Sequence, residues 1–320
     1  MGKIRNNRNF RIIGQGKILK PNPLKFSSFM NCNKLEIIFT VIPPPLEWDI
    51  SKIERKAFEV ANITKILDID FISLPEVIEE RSRGQRIIPY KMKFDNVEFG
   101  KMIKNFDNSV EIIVNKISVI MEKEEFETWI KENSKSFNYL LIVGGESSKI
   151  KYPGYYPIPA TLIAKNYFKN VYGITIFHRK DEPKKLLEKT KAGMKAFISQ
   201  IVFELENAKK VIYEYFKLCE EENIKTSKIY ISFAPVSQRK DLEFLKWLGV
   251  YVPKEIENYL LEDEKKLEKR SIEIIESLFQ ELCFLNIENI GINVEHVMYN
   301  NLQVAAYAVH RIKETWKWRN

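Results

Sequence analysis

Short apolar runs and longer amphipathic stretches alternate along most of the chain. The runs fall at residues 34–40, 70–74, 110–118, 138–143, 171–177, 196–203, 228–236 and 289–297. They are rich in Ile, Val, Phe and Tyr at consecutive positions, as in strands covered on both faces rather than strands with one wet side. Between them the apolar residues recur at helical spacing, at 50–61, 97–106, 122–137, 160–170, 182–194, 207–223, 241–248, 254–285 and 301–316. The stretch 254–285 is longer than its neighbours and is expected to break near 262–269 into two helices. Pro183 stands at a helix start, where a missing N–H costs nothing. Gly193 and Gly249 follow helical runs, where a left-handed cap is wanted.

Eight strands, each followed by a helix, predict a (β/α)8 TIM barrel. A doubly wound open sheet is the alternative, but no GxGxxG follows the first strand, and an eightfold alternation fits an open sheet poorly. Residues 1–33 lack the periodicity and contain Gly14, Gly16, Pro21 and Pro23. The expected division is therefore an N-terminal arm at 1–33 and a barrel at 34–320.

Composition sharpens this picture in three places. With 45% hydrophobic and 29% charged residues over 320 positions the chain is globular. No apolar run approaches the roughly 20 residues of a membrane helix, and no secretory h-region is visible, so a cytoplasmic protein without membrane association is expected. The net charge of +8 suggests a nucleic-acid partner until it is divided along the chain. Lys3, Arg5, Arg8, Arg11, Lys17, Lys20 and Lys25 supply +7 within 1–33, where no acid occurs, and only +1 remains for the barrel. Nucleic-acid binding thus falls to the basic arm alone and ranks last among the functions considered. Cys32, Cys219 and Cys283 are scattered and read as reduced thiols. Three dispersed histidines give no metal-ligand spacing, so no metal is expected. Abundant Lys, Glu and Ile are compatible with a thermophilic source.

In a TIM barrel the chemistry lies at the C-terminal strand ends. The candidates there are Thr40 after the first strand, Glu76 after the second, Asn115 and Ser118 on the third, and Gly144-Gly145-Glu146 after the fourth. Phe177 and His178 end the fifth, Ser199 and Gln200 lie on the sixth, Ser237 follows the seventh, and Glu295 and His296 end the eighth. Glu76, Glu146 and His178 are the candidate proton donors. Gln200, a primary amide in an apolar strand, needs hydrogen-bond partners that a ligand or the protein can supply. Gly144 and Gly145 either allow close approach of a ligand or simply make a turn. The loop 152–159, with three tyrosines, is either an aromatic flap over a planar ligand or surface packing.

Several of these segments resemble the methylenetetrahydrofolate reductases, flavin-dependent barrels of one-carbon metabolism. Lys189-Thr190-Lys191-Ala192-Gly193-Met194 running on to Ser199-Gln200 is similar to the family's K-x-D-A-G-A-x-x-x-I-T-Q stretch. Phe39-Thr40-Val41-Ile42-Pro43-Pro44 resembles F-E-F-F-P-P, Gly144-Gly145-Glu146 lies where the family has R-G-D, and Phe233-Ala234-Pro235-Val236-Ser237 is similar to G-I-L-P-V-S. The resemblance implies an oxidoreductase that reduces a methylene-tetrahydropterin to the methyl form, with hydride from NAD(P)H. It places Gln200 at the pterin, Lys189 at the flavin phosphates, Glu146 by the isoalloxazine and Phe177 near the cofactor; by their strand-end positions Thr40, Ser237 and Glu295 are further candidates for the substrate, and Gly144 and Gly145 for the cofactor. It also implies association into a homo-oligomer. Two positions depart from the pattern. Thr40 replaces the family's acidic glutamate, so Glu146, Glu76 or His178 has to supply the proton, with Glu146 preferred. Glu188 puts a negative charge where the FAD pyrophosphate needs a positive one, so hydride transfer directly from NAD(P)H is the alternative to FAD. A non-redox pterin-binding or accessory protein on the same barrel is the second reading.

Overall fold

A computed structural model of the chain describes residues 35–80, 84–145, 150–285, 289–298 and 301–317. The basic arm and Glu146 lie outside these residues. Eight parallel strands close into a barrel in chain order: β1 Ile37–Val41, β2 Phe71–Leu74, β3 Glu111–Ile117, β4 Tyr139–Val143, β5 Asn170–Thr175, β6 Ala196–Ile201, β7 Lys228–Phe233 and β8 Ile290–His296. β8 pairs with β1, which closes the ring. The helices are α1 Ile50–Ile66, α2 Asn96–Phe106, α3 Lys123–Asn133, α4 Pro157–Ala164, α5 Glu182–Ala192, α6 Glu206–Glu221, α7 Arg239–Trp247, α8 Lys254–Leu261, α9 Leu267–Phe284 and α10 Leu302–Lys317. The predicted break in 254–285 is a 3-10 turn at Glu264–Lys266.

The two faces of each strand go to two different cores. One face, with Ile37, Phe39, Ile72, Val114 and Phe233, packs against the helices. The other fills the barrel with Ile38, Ile113, Leu141, Ile198, Tyr172 and Tyr230. Because successive side chains alternate, the residues two positions on from this inner set also point inward: Thr40, Asn115, Val143, Ile174 and Ser232, while on β6 an irregularity after Ile198 interrupts the alternation before Gln200. The floor at the N-terminal end is closed by polar groups. Glu36 accepts from Lys228 Nζ at 2.5 Å and from Tyr230 Oη at 2.7 Å. Burial pushes the Tyr172 and Tyr230 phenols well above their usual range.

Local signals set the helix ends. Asp49 and Asp95 cap α1 and α2 by accepting the N–H groups of Lys52 and Glu98, each at 2.9 Å. Gly193 ends α5 at φ 116°, which a side chain would resist. α7 and α8 are an excursion between β7 and α9, the helix that packs with α10. The excursion touches other loops of the C-terminal rim. The Arg86 guanidinium in the β2–α2 connection lies 5.0 Å from the Phe244 ring and 5.2 Å from the Trp247 ring. Tyr251 packs on His178 with ring centroids 4.6 Å apart.

Candidate functional site

The inner face of the barrel changes character toward its C-terminal end. Below lie aliphatic and aromatic side chains; above them lie Thr40, Ser73, Asn115, Ser232, Asn293 and Glu295. Register brings them side by side, with Thr40 paired to Ser73 on one side and Glu295 on the other, and Ser232 paired to Asn293.

Hydrogen bonds join four of them into one directional chain. Thr40 Oγ1 donates to Asn293 Oδ1 at 2.8 Å. That fixes the amide, whose Nδ2 then donates to Ser232 Oγ at 2.9 Å and to Glu295 Oε1 at 3.2 Å. Ser232 Oγ donates onward to the Ser199 carbonyl at 2.6 Å. Across the mouth Ser73 Oγ donates to Asn115 Oδ1 at 3.0 Å. A register shift between Ile198 and Ile201 marks a bulge in β6. The Ser199 hydroxyl satisfies it, accepting Ser232 N–H at 2.9 Å and donating to the Gln200 carbonyl at 2.8 Å. Within the bulge, Gln200 Nε2 donates to the Leu248 carbonyl at 3.3 Å and ties β6 to the end of α7.

Among the described residues Asn115 Nδ2 and Gln200 Oε1 make no hydrogen bond, while the Glu295 carboxyl has Asn293 and the Ser232 hydroxyl beside it. Glu295 is only partly accessible, and burial pushes its carboxyl up to about 7 while the Ser232 hydroxyl pulls the other way. No charged group contributes to that shift.

The other sequence candidates are placed differently. Glu76 is engaged twice, accepting from Lys116 Nζ and from the Ile117 N–H, both at 2.6 Å. His178 is exposed, beside Tyr251 and 3.4 Å from Glu204, whose carboxylate also accepts N–H groups at the start of α6. Phe177 is buried in the core between barrel and helices. Lys189 Nζ donates to the Ile174 carbonyl at 2.7 Å, and burial holds its ammonium below the usual lysine range. A Cβ on Gly145 would lie 2.3 Å from the Tyr152 ring, and one on Gly144 3.3 Å from Pro157. Glu188 pairs with Lys191. Ser237 lies just after β7; its N–H goes to Asp241 at 2.9 Å, and its hydroxyl is buried without a partner. His296 is fully buried. Among the described residues, no group of three or more His, Cys, Asp or Glu is arranged to hold a metal, and no helix is long and apolar enough to cross a membrane.

Sequence reasoning passed over Ser73, Ser232 and Asn293. The signal for Asn293 was present: Asn293 and Glu295 are two polar residues two apart, on one face of an otherwise apolar strand. Lys93, near the same rim, was also missed. Burial and the charges of Arg86 and Lys91 bring its ammonium down to about 8.

The fold is a closed parallel barrel whose inner face turns polar toward its C-terminal end. No family model matches the chain, and no curated protein matches it. Among solved structures it is similar to an uncharacterized protein from Clostridium thermocellum that binds two copies of 5-methyl-5,6,7,8-tetrahydrofolic acid. The TM-score is 0.72 at 23% identity, over 87% of this chain and 95% of that one. At that identity the likeness shows the shared barrel fold.

The flavin expected from the family resemblance does not fit the residues present. Lys189 is spent on a strand carbonyl, Phe177 packs between barrel and helices, and Tyr152 lies against Gly145. Glu188 stands where a cation would be wanted for the pyrophosphate, and it pairs with Lys191.

Proposed function

We propose that this barrel binds a reduced tetrahydropterin in its C-terminal mouth and reduces the methylene form to the methyl form. The observation that carries the reading is the polar C-terminal end of the barrel's inner face, where Asn115 Nδ2 and Gln200 Oε1 make no hydrogen bond among the described residues beside the fixed Thr40–Asn293–Ser232 chain. A pterin ring has donors and acceptors along one edge and an apolar remainder, and it matches a satisfied floor with a few free polar atoms. The shared fold of a protein that binds methyltetrahydrofolate supports the same ligand class. The segment similarity to the reductases supports the reaction.

The protein's own groups supply position and a dry site. The Thr40–Asn293–Ser232 chain fixes the floor, so little reorganisation is needed when ligand enters. The α7–α8 excursion is held to β6 by Gln200 and to the β2–α2 connection by Arg86. A reduced nicotinamide serves as hydride donor and leaves as its oxidised form. Thr40 favours a second reading, pterin binding without redox chemistry, because a hydroxyl cannot give up a proton near neutral pH.

Mixing the protein with methylene-tetrahydrofolate and NADH or NADPH tests the reading. Loss of reduced-nicotinamide absorbance with formation of 5-methyl-tetrahydrofolate is expected. Binding of 5-methyl-tetrahydrofolate without turnover would select the non-redox reading. Neither binding nor turnover would refute both.

A further inference from the structure

Reduction of a methylene-tetrahydropterin needs a proton at the bridging nitrogen, and the strand position where the related reductases carry a glutamate holds Thr40. We propose that Glu295 is the proton donor, the carboxyl having moved one strand across the closure of the barrel. The inference rests on the reading above and goes beyond it by naming the acid.

Three observations carry it. First, Thr40 and Glu295 are register partners on β1 and β8, so their side chains leave the sheet side by side on the inner face. A carboxyl at 295 thus reaches the space that a carboxyl at 40 would occupy. Second, the Asn293 amide links the two. It accepts from Thr40 Oγ1 at 2.8 Å, so its Nδ2 faces Glu295 Oε1 at 3.2 Å. Glu295 Oε1 is thereby held as an acceptor, which leaves the other carboxyl oxygen to carry the proton. Third, the surroundings keep that proton on. β1 presents Thr40, β7 presents Ser232 and β8 presents Asn293, none of them charged, while the neighbouring His296 is buried on the opposite face of the strand. Burial without a compensating cation favours the neutral acid, which titrates at about 7.

The step balances as follows. Glu295 gives its proton to the bridging nitrogen. The bond from the methylene carbon to that nitrogen breaks, its electron pair staying on nitrogen as the N–H amine. The carbon is left as an iminium on the other ring nitrogen. Hydride from the reduced nicotinamide adds to that carbon, giving the methyl group and the oxidised nicotinamide. Solvent returns a proton to Glu295.

The test compares wild type with Glu295→Gln in two assays: reduction of methylene-tetrahydrofolate by NADH or NADPH, and binding of 5-methyl-tetrahydrofolate, which needs no proton. The variant should lose at least ~100-fold in turnover, the scale of one general acid. It should bind the methyl form within about threefold of wild type, since the glutamine oxygen can still accept from Asn293. The wild-type kcat/KM should fall above about pH 7, and the variant should lack that limb. Adding Thr40→Glu to Glu295→Gln should recover part of the rate. Wild-type turnover that Glu295→Gln leaves unchanged would overturn the assignment while sparing the proposed reaction. Loss of binding in parallel with turnover would make Glu295 a ligand contact instead. Wild type that binds but never reduces the methylene form would also overturn the assignment, leaving the non-redox reading.

Discussion

The protonation of Glu295 has a consequence that needs no substrate. A carboxyl that titrates at about 7 in the folded chain and near 4.5 when unfolded is penalised by folding once ionised. At about 1.4 kcal/mol per pH unit, the penalty reaches about 3 kcal/mol. The folded-state value is raised, so the stabilising contribution is complete below about pH 4.5 and is lost as pH rises through about 7. Glutamine in the same place keeps the Asn293 hydrogen bond and cannot ionise. Urea unfolding of wild type and Glu295→Gln, repeated from about pH 4.5 to 8.5, isolates the effect, because every other titrating group cancels in the difference. The two proteins should have similar stability at the acid end. At the alkaline end the variant should be more stable by about 2–3 kcal/mol, most of the full penalty. A difference that stays flat across the range would show that Glu295 titrates normally, and would refute the claim that the mouth is dry and uncharged around it.

Three further predictions concern neighbouring parts of the molecule. Gln200→Ala removes a free acceptor and the link to the Leu248 carbonyl, and should weaken binding of 5-methyl-tetrahydrofolate about five- to tenfold, measured by calorimetry. Glu76→Ala strands the Lys116 ammonium, whose side chain is 9% exposed, and frees the Ile117 N–H. A fully buried pair broken this way costs about 3–5 kcal/mol; with Glu76 itself 22% exposed, about 2 kcal/mol is expected in a urea titration. Gly291→Ala would place a Cβ 2.4 Å from the Tyr230 ring, and should lower stability by about 1–3 kcal/mol through overpacking.

The barrel was legible in the sequence because its cause is local. Strands buried on both faces read as apolar runs, the helices between them as amphipathic periods, and the break near 262–269 as the 3-10 turn Glu264–Lys266. The site was legible only in part. Thr40, Gln200 and Glu295 could be picked out as polar residues at strand ends. That Thr40 lies beside Glu295 could not, because β1 and β8 meet only through closure of the barrel, a global event that no short window encodes. Glu76 and Lys189 occupied the right ends of the right elements. What a linear reading could not see was that Lys116 and the Ile174 carbonyl claim them. The Ser199 bulge was hidden for the same reason, since its satisfaction depends on Ser232 of the next strand.

The measurement closest to the central claim is a calorimetric titration of 5-methyl-tetrahydrofolate into wild type and into Asn115→Leu, which removes the free donor facing the mouth. Saturable binding by wild type, weakened about tenfold in the variant, is the predicted result. No saturable binding by wild type, or identical isotherms for the two proteins, would contradict a pterin site in the mouth of this barrel.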